Sequence, residues 1–183
     1  MKRASLPTSA FVFLACVVGS LAMGLLFYGT QIFQQHLTYS QFLFSGVFAA
    51  ACVAAWLAGG RRGLLIGGLV CLVVLLAYHR PASESLLRRD VIYIVGLVLA
   101  VWVSLRASLA LARPRVGRFL LWGAIFGVTH LLLFGQLVAF RGAGFDLSTA
   151  MLVGRIGTLV GLGVGLGYEL VTLASGRALR ASR

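Results

Sequence analysis

The feature that most constrains the fold is a series of six long apolar segments joined by short connections. A helix of about 20 apolar residues spans the hydrocarbon core of a bilayer. Hydrophobic residues make up 60% of the 183 residues and charged residues only 11%, which leaves too little polar surface to cover a water-soluble domain. The sequence therefore predicts an all-α, polytopic integral membrane protein: a bundle of six transmembrane helices in one domain, residues 1–183. The six predicted helices are residues 9–32, 40–58, 63–78, 91–112, 118–140 and 148–174.

The basic residues stand mainly at the ends of these segments and are divided unequally between the two sides. The formal net charge is +12. With the N-terminus in the cytoplasm, ten basic residues lie on the cytoplasmic side and four on the other. The ten are Lys2, Arg3, Arg61, Arg62, Arg113, Arg115, Arg118, Arg177, Arg180 and Arg183. The positive-inside rule then predicts that both termini are cytoplasmic, in a membrane of the bacterial inner-membrane type.

A basic cluster is predicted near the cytoplasmic ends of the fourth and fifth helices. It consists of Arg106, Arg113, Arg115 and Arg118. Anionic lipid headgroups are its expected partner, and an acidic surface of a partner protein is the alternative. Because the basic residues lie at the ends of membrane spans, nucleic acid is not an expected partner.

Small residues recur at a spacing of four in the last two helices. They are Gly123 and Gly127 in the fifth helix and Gly157, Gly161 and Gly165 in the sixth. Lipid tails are as apolar as leucine, so membrane helices associate through close packing, which small residues permit. This pattern has two interpretations: close packing within the chain, or a face on which another subunit docks or against which a helix rocks.

The sixth helix also contains two charged residues, Arg155 and Glu169. A charge at the centre of the hydrocarbon costs about 2.5–3.5 kcal/mol. The two residues are separated by about 21 Å along the helix axis, so they cannot pair with each other. Glu169 continues the glycine row and is expected to face protein rather than lipid. It is predicted to be a proton or cation site, or an ion-pair partner for Arg118 or Arg106, and Arg155 is a candidate substrate or ion contact.

Three further polar residues are candidates in the fifth helix: Thr129, His130 and Gln136. His130 is the only histidine predicted deep in the membrane. A haem site would need a second deep histidine, and a proton relay would need an acidic residue at the same depth; the sequence offers neither. A hydrogen-bonded packing role is therefore favoured for His130, with a substrate or ion site as the alternative for all three residues.

Catalysis is not expected. The sequence has only four acidic residues and none of the common hydrolase, metalloprotease or phosphate-loop motifs. The three cysteines, Cys16, Cys52 and Cys71, lie in three different apolar segments without metal-ligand spacing. They are interpreted as small buried apolar residues, so neither a metal nor a cofactor is predicted.

Two functions remain compatible with this pattern. The favoured one is a non-catalytic membrane subunit that packs on, stabilises or regulates a larger membrane protein assembly, with another membrane protein as its partner. The alternative is a small-solute transport component, either a substrate-binding subunit similar in layout to vitamin-uptake S-components or a small transporter. This likeness is one of architecture alone.

Overall fold

The computed structural model describes residues 6–28, 36–79, 84–110, 115–141 and 146–174. Every one of these residues except Asp146 is helical, so the predicted all-α class is confirmed over this part of the chain. The five helices are α1 (Leu6–Tyr28), α2 (His36–His79), α3 (Glu84–Ala110), α4 (Arg115–Arg141) and α5 (Leu147–Ala174).

Four of these helices are long and apolar enough to cross a membrane. The corresponding segments are Thr8–Tyr28, Phe42–Tyr78, Leu87–Ala110 and Leu147–Thr172, and α4 contributes a shorter apolar segment, Arg118–Leu133. Helices of this length and composition are typical of a multi-pass membrane protein.

α2 is a helical hairpin rather than one straight rod. A straight helix would place residues 44 and 78 about 51 Å apart, yet the ring centroids of Phe44 and Tyr78 are 4.9 Å apart. The reversal occurs at Gly60, whose φ of 61° and ψ of −140° interrupt the helix. This positive φ favours glycine because a Cβ atom would clash with the backbone. α2 therefore has a first arm, residues 36–59, and a second arm, residues 61–79.

The helical rods form a closed ring in which neighbours are antiparallel. The first arm of α2 packs on α1, where a methyl group on Gly46 would lie 2.5 Å from Ser20 Oγ. The second arm packs on α3 through Gly68, and α3 packs on α4 through Gly96. α5 completes the ring by packing between α4 and α1. As a result, the Gly60 turn, the starts of α1 and α4 and the ends of α3 and α5 share one end of the bundle, here called the turn end.

Large apolar side chains cover the outside of the ring as well as filling its interior. Trp122, Phe42 and Phe126 are fully buried, with 0% exposure. On the outer surface, the second arm of α2 and α1 are particularly apolar. Their exposed residues include Phe11, Leu14, Val18, Leu26, Leu65, Ile66, Leu69, Val70 and Val73. This distribution matches an apolar solvent around the bundle.

The start of α3 differs from the prediction, which began this helix at residue 91. α3 begins at Glu84, so Asp90 lies in a helix and is 2% exposed. Its carboxylate accepts hydrogen bonds from Arg89 Nε at 2.9 Å and Nη2 at 2.8 Å, which offset the cost of burying the charge. A hydropathy pattern does not detect the first turns of α3, because Arg89 and Asp90 are charged.

Asp146 caps the start of α5. Its carboxylate accepts hydrogen bonds from the backbone amides of Ser148 and Thr149, both at 3.1 Å, and from both hydroxyl groups. The Thr149 and Ser148 hydrogen bonds lower the pKa of Asp146 to about 2. The ionised carboxylate is therefore the capping form at all but strongly acidic pH.

Gly60 and its neighbour Gly59 provide a matched test of the turn. A Gly60→Ala substitution should lower the free energy of unfolding by about 1–3 kcal/mol, because alanine is strained at this φ and ψ. Gly59→Ala should cause little or no loss, since a methyl group there meets nothing within 4 Å and the φ is not positive. Thermal and denaturant unfolding in detergent micelles would measure both. Equal losses for the two variants would contradict the hairpin geometry.

Candidate functional site

The candidate site is the interface between α4 and α5, where two rows of residues at a spacing of four face each other. The α5 row consists of the glycine row, Gly157, Gly161 and Gly165, followed by Glu169. The opposing α4 row consists of His130, Phe126, Trp122 and Arg118. The large side chains of α4 pack against the glycines of α5, where no side chain intervenes. A methyl group on Gly157 would lie 2.5 Å from His130 Cγ, and a methyl group on Gly165 would lie 2.8 Å from Trp122 Cγ.

Arg118 and Glu169 close this interface at the turn end. Arg118 Nη2 lies 3.1 Å from Glu169 Oε2, with side-chain exposures of 18% and 6%. Glu169 is therefore buried against protein, and it pairs with Arg118, one of the two ion-pair partners that the sequence offered. Arg118 lies in the first turn of α4, where the helix dipole disfavours a cation. The guanidinium is therefore stabilised by Glu169 rather than by its own helix.

Aromatic side chains separate this ion pair from the rest of the core. Tyr168 and Trp122 have ring centroids 5.7 Å apart, and Trp122 Nε1 donates a hydrogen bond to Ser108 Oγ of α3 at 2.8 Å. One donor of the pair is unused: Arg118 Nε is buried and has no hydrogen-bond partner among the described residues. The pair is thus a desolvated charge pair with one free N–H group.

His130 belongs to a second polar cluster, which reaches across the interior of the ring. His130 Nε2 lies 3.2 Å from Ser45 Oγ of the first α2 arm, and Ser45 Oγ lies 2.6 Å from the Tyr93 hydroxyl of α3. His130 Nδ1 lies 2.9 Å from the Phe126 carbonyl oxygen. His130 is 4% exposed and Ser45 1%. Three helices are therefore connected through one hydroxyl group.

The hydrogen-bond partners fix the direction of this chain for the neutral imidazole. A carbonyl oxygen only accepts, so Nδ1 carries the proton and donates to Phe126. Nε2 must then accept from the Ser45 hydroxyl, and Ser45 Oγ accepts from the Tyr93 hydroxyl. The predicted hydrogen-bonded packing role of His130 agrees with these contacts. Protonation at Nε2 would reverse the Ser45 hydrogen bond, with Nε2 as the donor, and would place a cation in the apolar core.

The two clusters do not form one site. Residues 118 and 130 lie about 18 Å apart along the axis of α4. Between them the interface is filled by Phe126 and Trp122, whose ring centroids are 6.1 Å apart. The polar groups therefore do not converge at one depth, as bond-making chemistry requires. Within the described residues, no group of three or more His, Cys, Asp and Glu side chains is placed to hold a metal ion.

The other candidate substrate or ion residues lie outside these two clusters. Thr129 Oγ1 donates to the Ile125 carbonyl in its own helix at 2.8 Å. Arg155 is exposed, and its Cζ lies 5.2 Å from the centre of the Tyr28 ring, a cation–π distance. The side chain of Gln136 lies outside the described residues. The structure therefore brings neither Thr129 nor Arg155 to the contacts made by His130 or Glu169.

The predicted basic cluster is divided by the fold. Arg118 turns inward to Glu169, whereas Arg106 is exposed beside Trp102, with 6.0 Å between Arg106 Cζ and the ring centre. Arg118 is therefore paired and largely buried rather than a free surface cation. Arg113 and the side chain of Arg115 lie outside the described residues.

The candidate partner-face glycines are all covered by the chain's own helices. Gly157, Gly161 and Gly165 face α4, and Gly123 and Gly127 face Leu162 and Thr158 of α5. On a different face of α5, Gly163 and Gly167 contact the backbone of α1 near Gly19 and Cys16. Because these surfaces are filled, the glycines pack the bundle and do not offer a free docking face.

Some residues of the clusters were not identified from the sequence. Ser45 and Tyr93 are partners of His130, but polar residues of different helices give no periodic signal of their contact.

The chain matches no protein-family model, no curated protein sequence and no solved structure.

The ion pair should show strong thermodynamic coupling. Arg118→Met or Glu169→Leu alone should lower the free energy of unfolding by about 3–5 kcal/mol, because each leaves an uncompensated buried charge. The double variant should lose much less, since an apolar pair replaces two charges. Unfolding in detergent would give the coupling energy, with Arg106→Met as the exposed-arginine control. Additive losses in the double variant would contradict a buried pair.

Proposed function

We propose that this protein is a non-catalytic integral membrane subunit that packs on, stabilises or regulates a larger membrane protein assembly. The observation that supports this function is the separation of the buried polar groups. Arg118 pairs with Glu169, and His130 bonds to Ser45, about 18 Å away along α4. Each cluster connects helices of the bundle to one another. Such contacts hold a scaffold together and do not assemble a reaction centre.

The proposed membrane arrangement has six spans, with both termini in the cytoplasm. Each arm of α2 supplies about 18 residues of the apolar segment, or about 27 Å of helix, close to the thickness of the hydrocarbon core. α4 supplies the further span that joins α3 and α5. We place the protein in a bacterial-type inner membrane, where its apolar outer surface contacts lipid or a partner.

The arrangement of arginines supports this orientation. At the turn end, Arg61, Arg62 and Arg106 are exposed. At the opposite end, Arg88 pairs with Glu84 at 3.3 Å and Arg89 pairs with Asp90. The positive-inside rule counts Lys and Arg, and the ten-to-four division in the sequence assigns the turn end to the cytoplasm. Anionic headgroups are the proposed lipid partner of these arginines.

One observation favours the alternative, a small-solute transport component. The buried Arg118 Nε has no partner among the described residues, and Glu169 beside it is also buried. Intramembrane charges often mark ion or substrate routes. An anionic solute could use the free guanidinium donor, in which case the pair would be part of a binding site.

The orientation is tested by cysteine accessibility. In a variant with its native cysteines replaced by serine, Gly59→Cys at the turn end should be labelled by an impermeant maleimide only after the membrane is opened. Arg88→Cys should be labelled in intact cells, because it is exposed at the opposite end. Labelling of both positions in intact cells would contradict the proposed topology.

The subunit function is tested by purification from native membranes in a mild detergent, followed by mass spectrometry. We expect a second membrane protein in a fixed ratio and no stoichiometric small molecule. A photo-reactive residue at the exposed position 69 or 14 should cross-link to that protein, whereas one at the fully buried position 101 should not. Recovery of the chain alone with a stoichiometric ligand would reject the subunit function and favour transport.

A further inference from the structure

Arg155 is a cation on the outer surface of a helix that is apolar enough to cross a membrane. The candidate span of α5 is Leu147–Thr172, and Arg155 lies about 12 Å along the helix axis from Leu147. Its side chain is exposed. Its Cζ lies 5.2 Å from the centre of the Tyr28 ring of α1, so the guanidinium is positioned by a cation–π contact between two neighbouring helices.

No carboxylate of the described residues pairs with Arg155. The sequence has four acidic residues, and all four lie in the described part of the chain, where other groups occupy them. Their partners are Arg88 for Glu84, Arg89 for Asp90, Arg118 for Glu169 and the start of α5 for Asp146. An unpaired cation next to hydrocarbon is costly, so a counter-ion for Arg155 is expected to come from outside the chain.

The lengths of α1 and α5 place Arg155 near the boundary between hydrocarbon and lipid headgroups. The candidate spans of these antiparallel helices begin at Thr8 and end at Thr172, both at the turn end. The hydrocarbon core is about 30 Å thick, which corresponds to about 20 helical residues. Counted from the turn end, this thickness reaches Tyr28 in α1 and Leu152 in α5. Arg155 and Tyr28 therefore lie at the depth at which tyrosine rings are enriched and the lipid phosphate groups begin.

We propose that Arg155, positioned by the Tyr28 ring, binds the phosphate group of an anionic phospholipid in the leaflet opposite the turn end. A guanidinium can donate two parallel N–H bonds to phosphate oxygens, and its charge neutralises the phosphate. The neighbouring exposed side chains of α1, Leu26 and Phe27, are apolar and suit the acyl chains. A lipid phosphate is favoured over a carboxylate of another protein, because every phospholipid presents a phosphate at this depth. The proposal rests on α1 and α5 crossing the membrane and is independent of the subunit function.

The test uses a fluorophore next to the site. In the full chain with its native cysteines replaced by serine, the fluorophore is attached through Met151→Cys, because Met151 is exposed one helical turn from Arg155. The protein is purified in a maltoside detergent, which contains no phosphate. It is then titrated with phosphatidylglycerol that has a nitroxide near the top of one acyl chain, which quenches a nearby fluorophore. Excess unlabelled phosphatidylglycerol should reverse the quenching.

The variants of Arg155 should weaken this binding. Arg155→Met should require about tenfold more lipid for half-maximal quenching, because a charge-assisted, bidentate contact is lost. Arg155→Lys should lie between Arg155→Met and the unsubstituted reporter, since it retains the charge without the planar fork, and it provides the test if Arg155→Met does not fold. Arg106→Met, at an exposed arginine of the turn end, is the matched control and should leave the titration unchanged.

The role of the Tyr28 ring is tested separately. Tyr28→Leu should raise the half-maximal lipid concentration about two- to fivefold, because the cation–π contact is lost. Tyr28→Phe retains the ring and should behave as the unsubstituted reporter does. Equal losses in the two variants would reject the ring as the group that positions Arg155.

Three results would overturn the lipid site. The first is the same titration for the reporter and its folded Arg155 variants, which is also the result expected if a carboxylate of a partner protein is the counter-ion. The second is equal quenching by nitroxide-labelled diacylglycerol, which has the acyl chains but no phosphate. The third is reversal of the quenching by inorganic phosphate, which would identify a site for a free anion rather than for a lipid.

Discussion

The rest of the structure depends on the close contact that α5 makes with two helices at once. In a bilayer, apolar side chains gain little by leaving lipid for protein, so helices associate mainly where their surfaces fit closely. α5 meets this condition on two faces, with the glycine row against α4 and with Gly163 and Gly167 against α1. A methyl group on most of these glycines would overlap atoms of the neighbouring helix. The absence of side chains on α5 therefore determines where α4 and α1 can lie.

This contact also explains the positions of the charged and polar groups. A row of glycines is uniform along its length and by itself does not distinguish one register of α4 from a register shifted by one turn. Glu169 distinguishes these registers, because only one of them places Arg118 beside its carboxylate. A shift would leave two buried charges unpaired, at a cost of several kcal/mol. In the same register, His130 packs against Gly157, which has no side chain. This contact directs the imidazole toward Ser45.

The sequence predicted features that depend on periodicity within one helix, and it was less informative about contacts between helices. The apolar segments predicted the helical class, and the four-residue spacing placed Glu169 on the protein-facing side of α5. The ion pair with Arg118 was one of two alternatives, because depth alone also allowed Arg106. Ser45 and Tyr93 could not be identified as members of the His130 hydrogen-bond cluster, because the sequence does not indicate which faces of three separate helices meet. Asp90 was assigned to a loop because hydropathy alone does not detect its charge pairing with Arg89 inside a helix.

The α2 hairpin shows where a sequence does contain information on contacts between rods. In an antiparallel hairpin with a tight turn, residues equally distant from the turn must meet, because both arms advance about 1.5 Å per residue. Phe44 and Tyr78 lie 16 residues before and 18 residues after Gly60 and pack against each other, close to this relation. Once a glycine with positive φ fixes the turn at residue 60, the pairing of the arms follows without any side-chain pattern.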